Sequence, residues 1–321
     1  AVVLAGVRHH DIHLTKIEGV GDEVGDVDVG GGTAVDGRQD DSAFRTPHGG
    51  IGDVEVLAVV EVGPAAGYVF TGEAAVGPDE SFPGDADAEP AFVGVGEVAH
   101  VVLDAAGDRA FCSGGDIAEL YRTGRAGNFE YGQKFWADEY RLNAKIFNYP
   151  KPGISFLQGF TMGGGVGLGC HGTHRVVGDS SRIAMPECGI GLIPDVGGTL
   201  MLALAPGRIG EYLGLTAARM SAADAIFAGF ADHYIKEDAW PDLIAALEAD
   251  ATASDVAAAA SAPPESALAA LQVQIDQHFG GERLGDILTT LRRDDSDFAQ
   301  ATMKSMGRNS PLSMACTLEV I

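Results

Sequence analysis

The chain changes character near residue 98, and that break limits what it can fold into. Before it, text such as "GVGDEVGDVDVGGGTAVDG" (residues 19–37) scatters valines among glycines and aspartates. Residues 1–98 hold 18 of the 45 glycines, only three leucines (Leu4, Leu14, Leu57), and 19 of the 46 acids against 4 of the 21 bases. No helical period runs through them, and period-2 alternation is confined to short pieces such as "DVEVLAVVEV" at 53–62, where a weak strand is expected. A stretch so poor in leucine and so acidic has little with which to build a core. It reads as an atypical acidic Gly/Val-rich segment, or as the product of a reading frame different from that of the rest. His9, His10, His13 and His48 fall here without a helix or cysteine to fix them as ligands, so no metal site is expected.

From about residue 99 strands and helices alternate. "AHVVLDAAG" is a strand, "DIAELYRTG" a short helix closed by Gly124, and "FEYGQKFWADEYRLNAKIFNY" a helix with Phe135, Tyr140, Leu142, Ile146 and Phe147 at helical spacings. "GISFLQGF" and "HRVVGD" are strands, with a helix starting at "GGGVGLG" between them. "RIGEYLGLT" and "SAADAIFAGF" are helices, the second capped by Ser221 with Asp224 three residues on, and "ADHYI" is a strand. From "WPDLIAALEA" onward the text is helical, broken at "SAPPES" and "FGGE". The expected class is α/β, with an alternating core over 99–245 and a helical region over 246–321.

Charge and cysteines narrow the partners. The net charge of −25 argues against nucleic acid and against anionic membrane surfaces. Any polyanionic ligand must be held by local donors. No run of about 18 apolar residues exists to span a membrane. Cys112, Cys170, Cys188 and Cys316 have no metal or disulfide spacing, which suits a reducing cytoplasm. No signal peptide is expected. The first residue is not Met and "SMACTLEVI" stops inside a helical pattern, so a fragment or processed product is expected.

The chemistry concentrates in three stretches. "SRIAMPECGIGLIPDVGG" (181–198) sets two acids, Glu187 and Asp195, each after a proline, among apolar residues. Pro-acid pairs serve as ordinary surface turns; in an apolar pocket the same acids become a usable acid, base or nucleophile near neutral pH. "DRAFCSGGDIAEL", after a strand, and "GFTMGGGVGLGC", after a loop, each bring glycines to a helix start, where free N–H groups suit a developing oxyanion. Neither fits a nucleotide phosphate loop. Asp116 is a helix N-cap candidate. His171 and His174 are expected to pack or hydrogen-bond rather than catalyse, and Cys112 and Cys188 to be core.

With "FCSGGDIAELY", "YPKP", "GFTMGGGVGLGCHGTHRV", "AMPECGIGLIPDVGG", "GRIGEYLGLT", "AGFADHYI" and "NSPLSM", residues 99–321 resemble the crotonase (enoyl-CoA hydratase/isomerase) superfamily, and within it the 3-hydroxyisobutyryl-CoA hydrolase group. The resemblance implies a spiral of ββα units followed by C-terminal helices. It implies hydrolysis of a short β-hydroxyacyl-CoA in valine catabolism, with Glu187 as nucleophile or base and Asp195 as the second acid. Gly115 and Gly164 match the oxyanion donors; Gly114, Gly163 and Asp116 border the substrate. Coenzyme A arrives as part of the acyl-CoA substrate, no separate cofactor or metal is implied, and a homo-oligomer stays open. Gly167 stands where hydratases of the superfamily carry their other glutamate, which favours hydrolysis over hydration. Hydratase/isomerase activity and a non-catalytic crotonase-like fragment are the alternatives. The family's opening "RP-x-x-x-NAL" motif is missing from residues 1–98, and the family continues past residue 321.

Overall fold

The computed structural model describes residues 99–249 and 251–321, together with the backbone of three strands nearer the N-terminus, β1 (Val2–Leu4), β2 (Leu57–Val62) and β3 (Ala66–Thr71). β2 falls in the alternating stretch expected to be a strand, and it pairs antiparallel with both β1 and β3. The histidines at 9, 10, 13 and 48 lie outside the described residues.

The ordered alternation folds as repeats of two strands and a helical segment. β4 (Val101–Leu103) and β5 (Ala110–Cys112) lead to α1 (Ile117–Arg125) and the long α2 (Glu130–Phe147). β6 (Gly153–Phe156) and β7 (Phe160–Met162) lead to α3 (Gly164–Gly169). β8 (His174–Val177) and β9 (Arg182–Ala184) lead to a 3-10 turn at Glu187–Ile190. In each repeat the first strand joins a large sheet and the second a small one. The large sheet runs β10-β8-β6-β4-β1-β2-β3, where β10 is His233–Tyr234, and the small sheet runs β5-β7-β9. Neighbours from β10 to β1 are parallel, as are those of the small sheet. The parallel strands of the two sheets, wound by a repeating ββα unit, make the spiral that the family resemblance implied.

The remaining helices close one side. α4 (Gly198–Leu204), α5 (Ile209–Thr216) and α6 (Ala222–Phe227) precede β10. α7 (Trp240–Ala249), α8 (Ala253–Ala259), α9 (Ala267–Phe279), α10 (Leu284–Arg292), α11 (Asp297–Met306) and α12 (Pro311–Val320) follow it. Ser221 caps α6 through the reciprocal bond with Asp224. Phe111, Leu157 and Ile183 of the strand repeats share one buried cluster with Ile275, Phe279 and Leu291 of α9 and α10. A second cluster packs Ile154, Phe156 and Val176 of the large sheet against Trp240, Leu247 and Val256. Among the described residues no helix is long and apolar enough to cross a membrane.

Three local expectations change. Helix α1 continues through Gly124 to Arg125, and the left-handed residue after it is Gly127, at φ +77°. On α2 the aromatic and leucine positions Tyr140, Leu142 and Phe147 are exposed, while Gly132 and Asn143 are buried. In 181–198, Ile183, Ala184, Met185 and Val196 are core, but Ile190, Leu192 and Ile193 face outward.

Candidate active site

The small sheet brings the three chemical stretches together. Its strands are parallel, so their C-terminal ends lie on one edge. β5 ends at Cys112, just before Gly114 and Gly115; β7 ends at Met162, just before Gly163 and Gly164; β9 ends at Ala184, just before Glu187. The register Met162↔Ala184 sets the second and third side by side. The C-terminal edge of a parallel sheet is where α/β proteins place their ligands.

The two glycine turns touch. Gly114 holds φ +96°, and a Cβ on it would come within 3.3 Å of Gly164 N. Gly163 holds φ +54°, and a Cβ there would lie 2.7 Å from Glu187 Oε1. A larger residue at 163 would be strained and would also displace the acid. The N–H groups of Gly115 and Gly164 make no hydrogen bond with another described residue. They remain available to a ligand oxygen. Asp116 caps α1, its Oδ1 accepting from Glu119 N at 2.9 Å. That is the N-cap role read from the sequence.

Glu187 opens the 3-10 turn and is 5% exposed. Its Oε2 is buried without a hydrogen-bond partner among the described residues. Burial first, then the negative charges of Asp195 and Glu139, push its carboxyl up to about 8. Asp195 sits further along the same loop, partly buried, and burial raises it as well. Tyr140 Oη donates to Asp195 Oδ2 at 2.7 Å, a bond that favours the ionised carboxylate and works against burial.

The loop carrying Asp195 has unusual backbone. Val196 takes φ +47°, rare for a β-branched residue, and Gly197 follows at φ +78°. His171 braces this bend: its Nε2 lies 2.6 Å from Val196 O. Burial lowers the His171 pKa, which favours the neutral ring. Cys112 is pushed up to about 11 by burial, and burial raises Cys188 too, so both are inert core thiols.

One acid of this site escaped the sequence reading. Glu139 of α2 packs against the Gly164 turn, so closely that a Cβ on Gly164 would overlap its Oε1. Burial first, and then Asp195, raise it to about 7. In the text it is one acid in "FWADEYRLN", next to Asp138, Arg141 and Lys134, and it looks like part of a solvated face. Asp138 is indeed such a residue, bridging Lys134 and Arg141. The available signal was the polar residue at 143, one turn after Glu139, in a helix otherwise able to bury aromatics.

Gly167 has no room for a side chain. A Cβ there would lie 2.6 Å from Val196 Cβ and 2.7 Å from Asn143 Nδ2. A side chain at 167 would collide with both residues.

A parallel-sheet spiral that gathers two glycine turns and buried carboxylates on one edge defines a crotonase-type site. The Enoyl-CoA hydratase/isomerase family matches residues 95–321, and the chain belongs to that family. It is 38% identical to the 3-hydroxyisobutyryl-CoA hydrolase, mitochondrial, of Danio rerio, over 69% of this chain and 60% of that protein. It is 35% identical to 3-hydroxyisobutyryl-CoA hydrolase 1 of Arabidopsis thaliana, over 66% and 60%. The chain thus spans about 60% of the length of these curated relatives. A crystal structure described as an enoyl-CoA hydratase from Rhodobacter sphaeroides superimposes with TM-score 0.66 at 57% identity, over 69% of this chain and 64% of that one. One described as a carnitinyl-CoA dehydratase from Mycobacterium thermoresistibile gives 0.67 at 45%, over 69% and 65%.

Proposed function

We propose that this chain hydrolyses the thioester of a short β-hydroxyacyl-CoA, with 3-hydroxyisobutyryl-CoA as the preferred substrate. The observation that carries the proposal is the buried Glu187 carboxyl, whose Oε2 has no partner among the described residues, beside two glycine turns whose N–H groups bond to no described residue. The N–H groups of Gly115 and Gly164 take the thioester oxygen as it becomes negative. The Glu187 carboxylate attacks the carbonyl carbon or removes a proton from the water that does. The C–S bond breaks, a C–O bond forms, and the oxygen of water ends in the free acid. The proton that the water gives up passes by way of the Glu187 and Asp195 carboxyls to the departing thiolate, so the free acid and the thiol leave and both carboxyls return to their starting state. Tyr140 holds the Asp195 carboxyl in place. Gly114 and Gly163 let the acyl group approach the backbone, and Asp116 keeps the first turn in register through α1.

Hydration of an enoyl-CoA is the second reading, favoured by the description of the Rhodobacter structure. Two observations set it below hydrolysis. The space at Gly167 is closed by Val196 and Asn143, and the second acid of the loop is Asp195 instead. The test is to offer the 321-residue chain 3-hydroxyisobutyryl-CoA and crotonyl-CoA separately. Release of free thiol from the first, with the enoyl absorbance of the second unchanged, is expected. Loss of that absorbance without thiol release makes the chain a hydratase. A cytoplasmic setting is our further proposal, supported by four free cysteines, three of them buried. The Danio relative is described as mitochondrial, and cell fractionation decides between the two compartments.

A further inference from the structure

The cavity beside Asp195 has a floor that the hydrolytic chemistry does not use. It measures about 530 Å³ and is lined by Tyr140, Asn143, Phe147, His171, Asp195 and Val196, among others. Most of that lining is apolar or already engaged: Tyr140 is bonded to Asp195, and His171 to Val196. Asn143 is different. It is only 6% exposed, and its Oδ1 is buried with no partner among the described residues. A buried amide without a partner is costly to keep. An asparagine in a helix interior also has weak helix propensity, so α2 gains nothing locally from carrying it. Its place on the helix is fixed by spacing: one turn beyond Glu139 and three residues beyond Tyr140, so all three point from α2 toward the loop of Asp195.

We infer that Asn143 is the specificity residue for the acyl chain, its side-chain amide hydrogen-bonding the hydroxyl group of a β-hydroxyacyl thioester whose carbonyl lies at Glu187. This assignment rests on the hydrolase reading and names the contact that selects its substrate. The geometry leaves little else for the amide to do. Its Nδ2 occupies the space next to Gly167, and Val196 closes the other side, so it cannot swing toward α3. The remaining direction is the cavity. A hydroxyl group donates one hydrogen bond and accepts others, so it can satisfy either end of the amide, and a half-turn of the side chain exchanges the two ends. An acyl chain without the hydroxyl leaves the amide without that bond. Sites built to bond a substrate hydroxyl discriminate strongly against the analogue that lacks it.

The test compares two substrates on one protein. Thiol release from 3-hydroxyisobutyryl-CoA and from isobutyryl-CoA is measured for the parent chain, for Asn143→Leu, which keeps the bulk, and for Asn143→Ala, which removes it. The ratio of kcat/KM for the hydroxylated over the plain substrate is expected to fall about tenfold in both variants, the scale of one neutral hydrogen bond in a water-poor site. Turnover of isobutyryl-CoA reports folding and chemistry independently of that bond. An equal loss on both substrates, complete loss included, overturns the assignment and makes Asn143 a brace between α2 and α3. An unchanged ratio overturns it as well, and leaves a bound water as the partner of the amide. If the parent releases no thiol from either substrate, the hydrolase reading itself fails and takes this inference with it.

Discussion

The loop 181–198 and helix α2 both deliver acids to one site, and they do so by opposite means. In the loop, Glu187 and Asp195 stand out because their neighbours are apolar, and Ile183, Met185 and Val196 are indeed core. In α2 the site-facing residues Glu139 and Asn143 are camouflaged by other charges, while Leu142 is exposed. A loop can isolate an acid with prolines and glycines, so its chemistry shows in the text. A helix repeats its environment every turn, and one polar stripe looks like any other until it is known which face meets the sheet. The two regions meet through charge: Glu139 and Asp195 each raise Glu187.

The sharpest way to break this comparison is at Glu187. Glu187→Gln keeps the shape and removes the carboxylate, and thiol release is expected to fall roughly 10³-fold, the middle of the range for a general base. Near-parental turnover would take the loop acid out of the mechanism and leave α2 as the source of the chemistry. Gly164→Pro is expected to cost about 10²-fold, because it deletes an oxyanion donor and sets a ring against Glu139. Circular dichroism must show a retained fold, and an active, folded variant would contradict the donor assignment.

The fold from residue 99 was largely legible, for a stated physical reason. The large-sheet strand β4 is a short apolar run, β6 follows Pro152 and β8 is followed by Gly178, and Ser221 with Asp224 marks the start of α6. Strand β5 showed as the strand leading into Gly114 and Gly115, whereas β7 and β9 were hidden: each is three residues long, and β7 lies in a stretch read as a loop before a glycine run. Neither carries a period of its own. Their pairing is also long-range, which no local pattern reveals. Of the site, the glycines and the loop acids carried signals; Glu139 did not. Gly124 misled because a glycine near a helix end usually stops it, and here Gly127 takes the left-handed turn instead.

A milder perturbation sharpens the coupling between the two regions. Glu139→Gln removes one negative charge near Glu187, and so lowers the Glu187 pKa from about 8. The acid limb of the kcat/KM profile should therefore move to lower pH by a fraction of a unit, with turnover reduced about tenfold or less as the Gly164 turn loosens. Because the free-enzyme profile reports the ionisation of Glu187 itself, an unmoved limb would mean that the two acids do not sense one another.

The smallest expected effect is on stability, and it tests whether Glu187 is held for function at the expense of the fold. In the unfolded chain a glutamate ionises near its ordinary value of 4.5, whereas in the folded protein burial holds the proton until about 8. Between those two values the unfolded state has lost its proton and the folded state has kept it. Raising the pH through that window therefore favours unfolding, by up to about 1.4 kcal/mol per pH unit, and the loss is complete above the folded value. Glu139, raised to about 7, adds a slope of the same sign, so the parent alone cannot isolate Glu187. The difference between parent and Glu187→Gln can, because the Glu139 contribution is common to both except for their mutual repulsion. The variant is expected to melt at about the parental temperature near pH 4, and a few degrees above it near pH 9, as a gain of a few kcal/mol in a chain of this size implies. A melting difference that stays constant across that range would show that Glu187 ionises as freely in the fold as outside it, and that its pocket is wetter than the unpartnered Oε2 indicates.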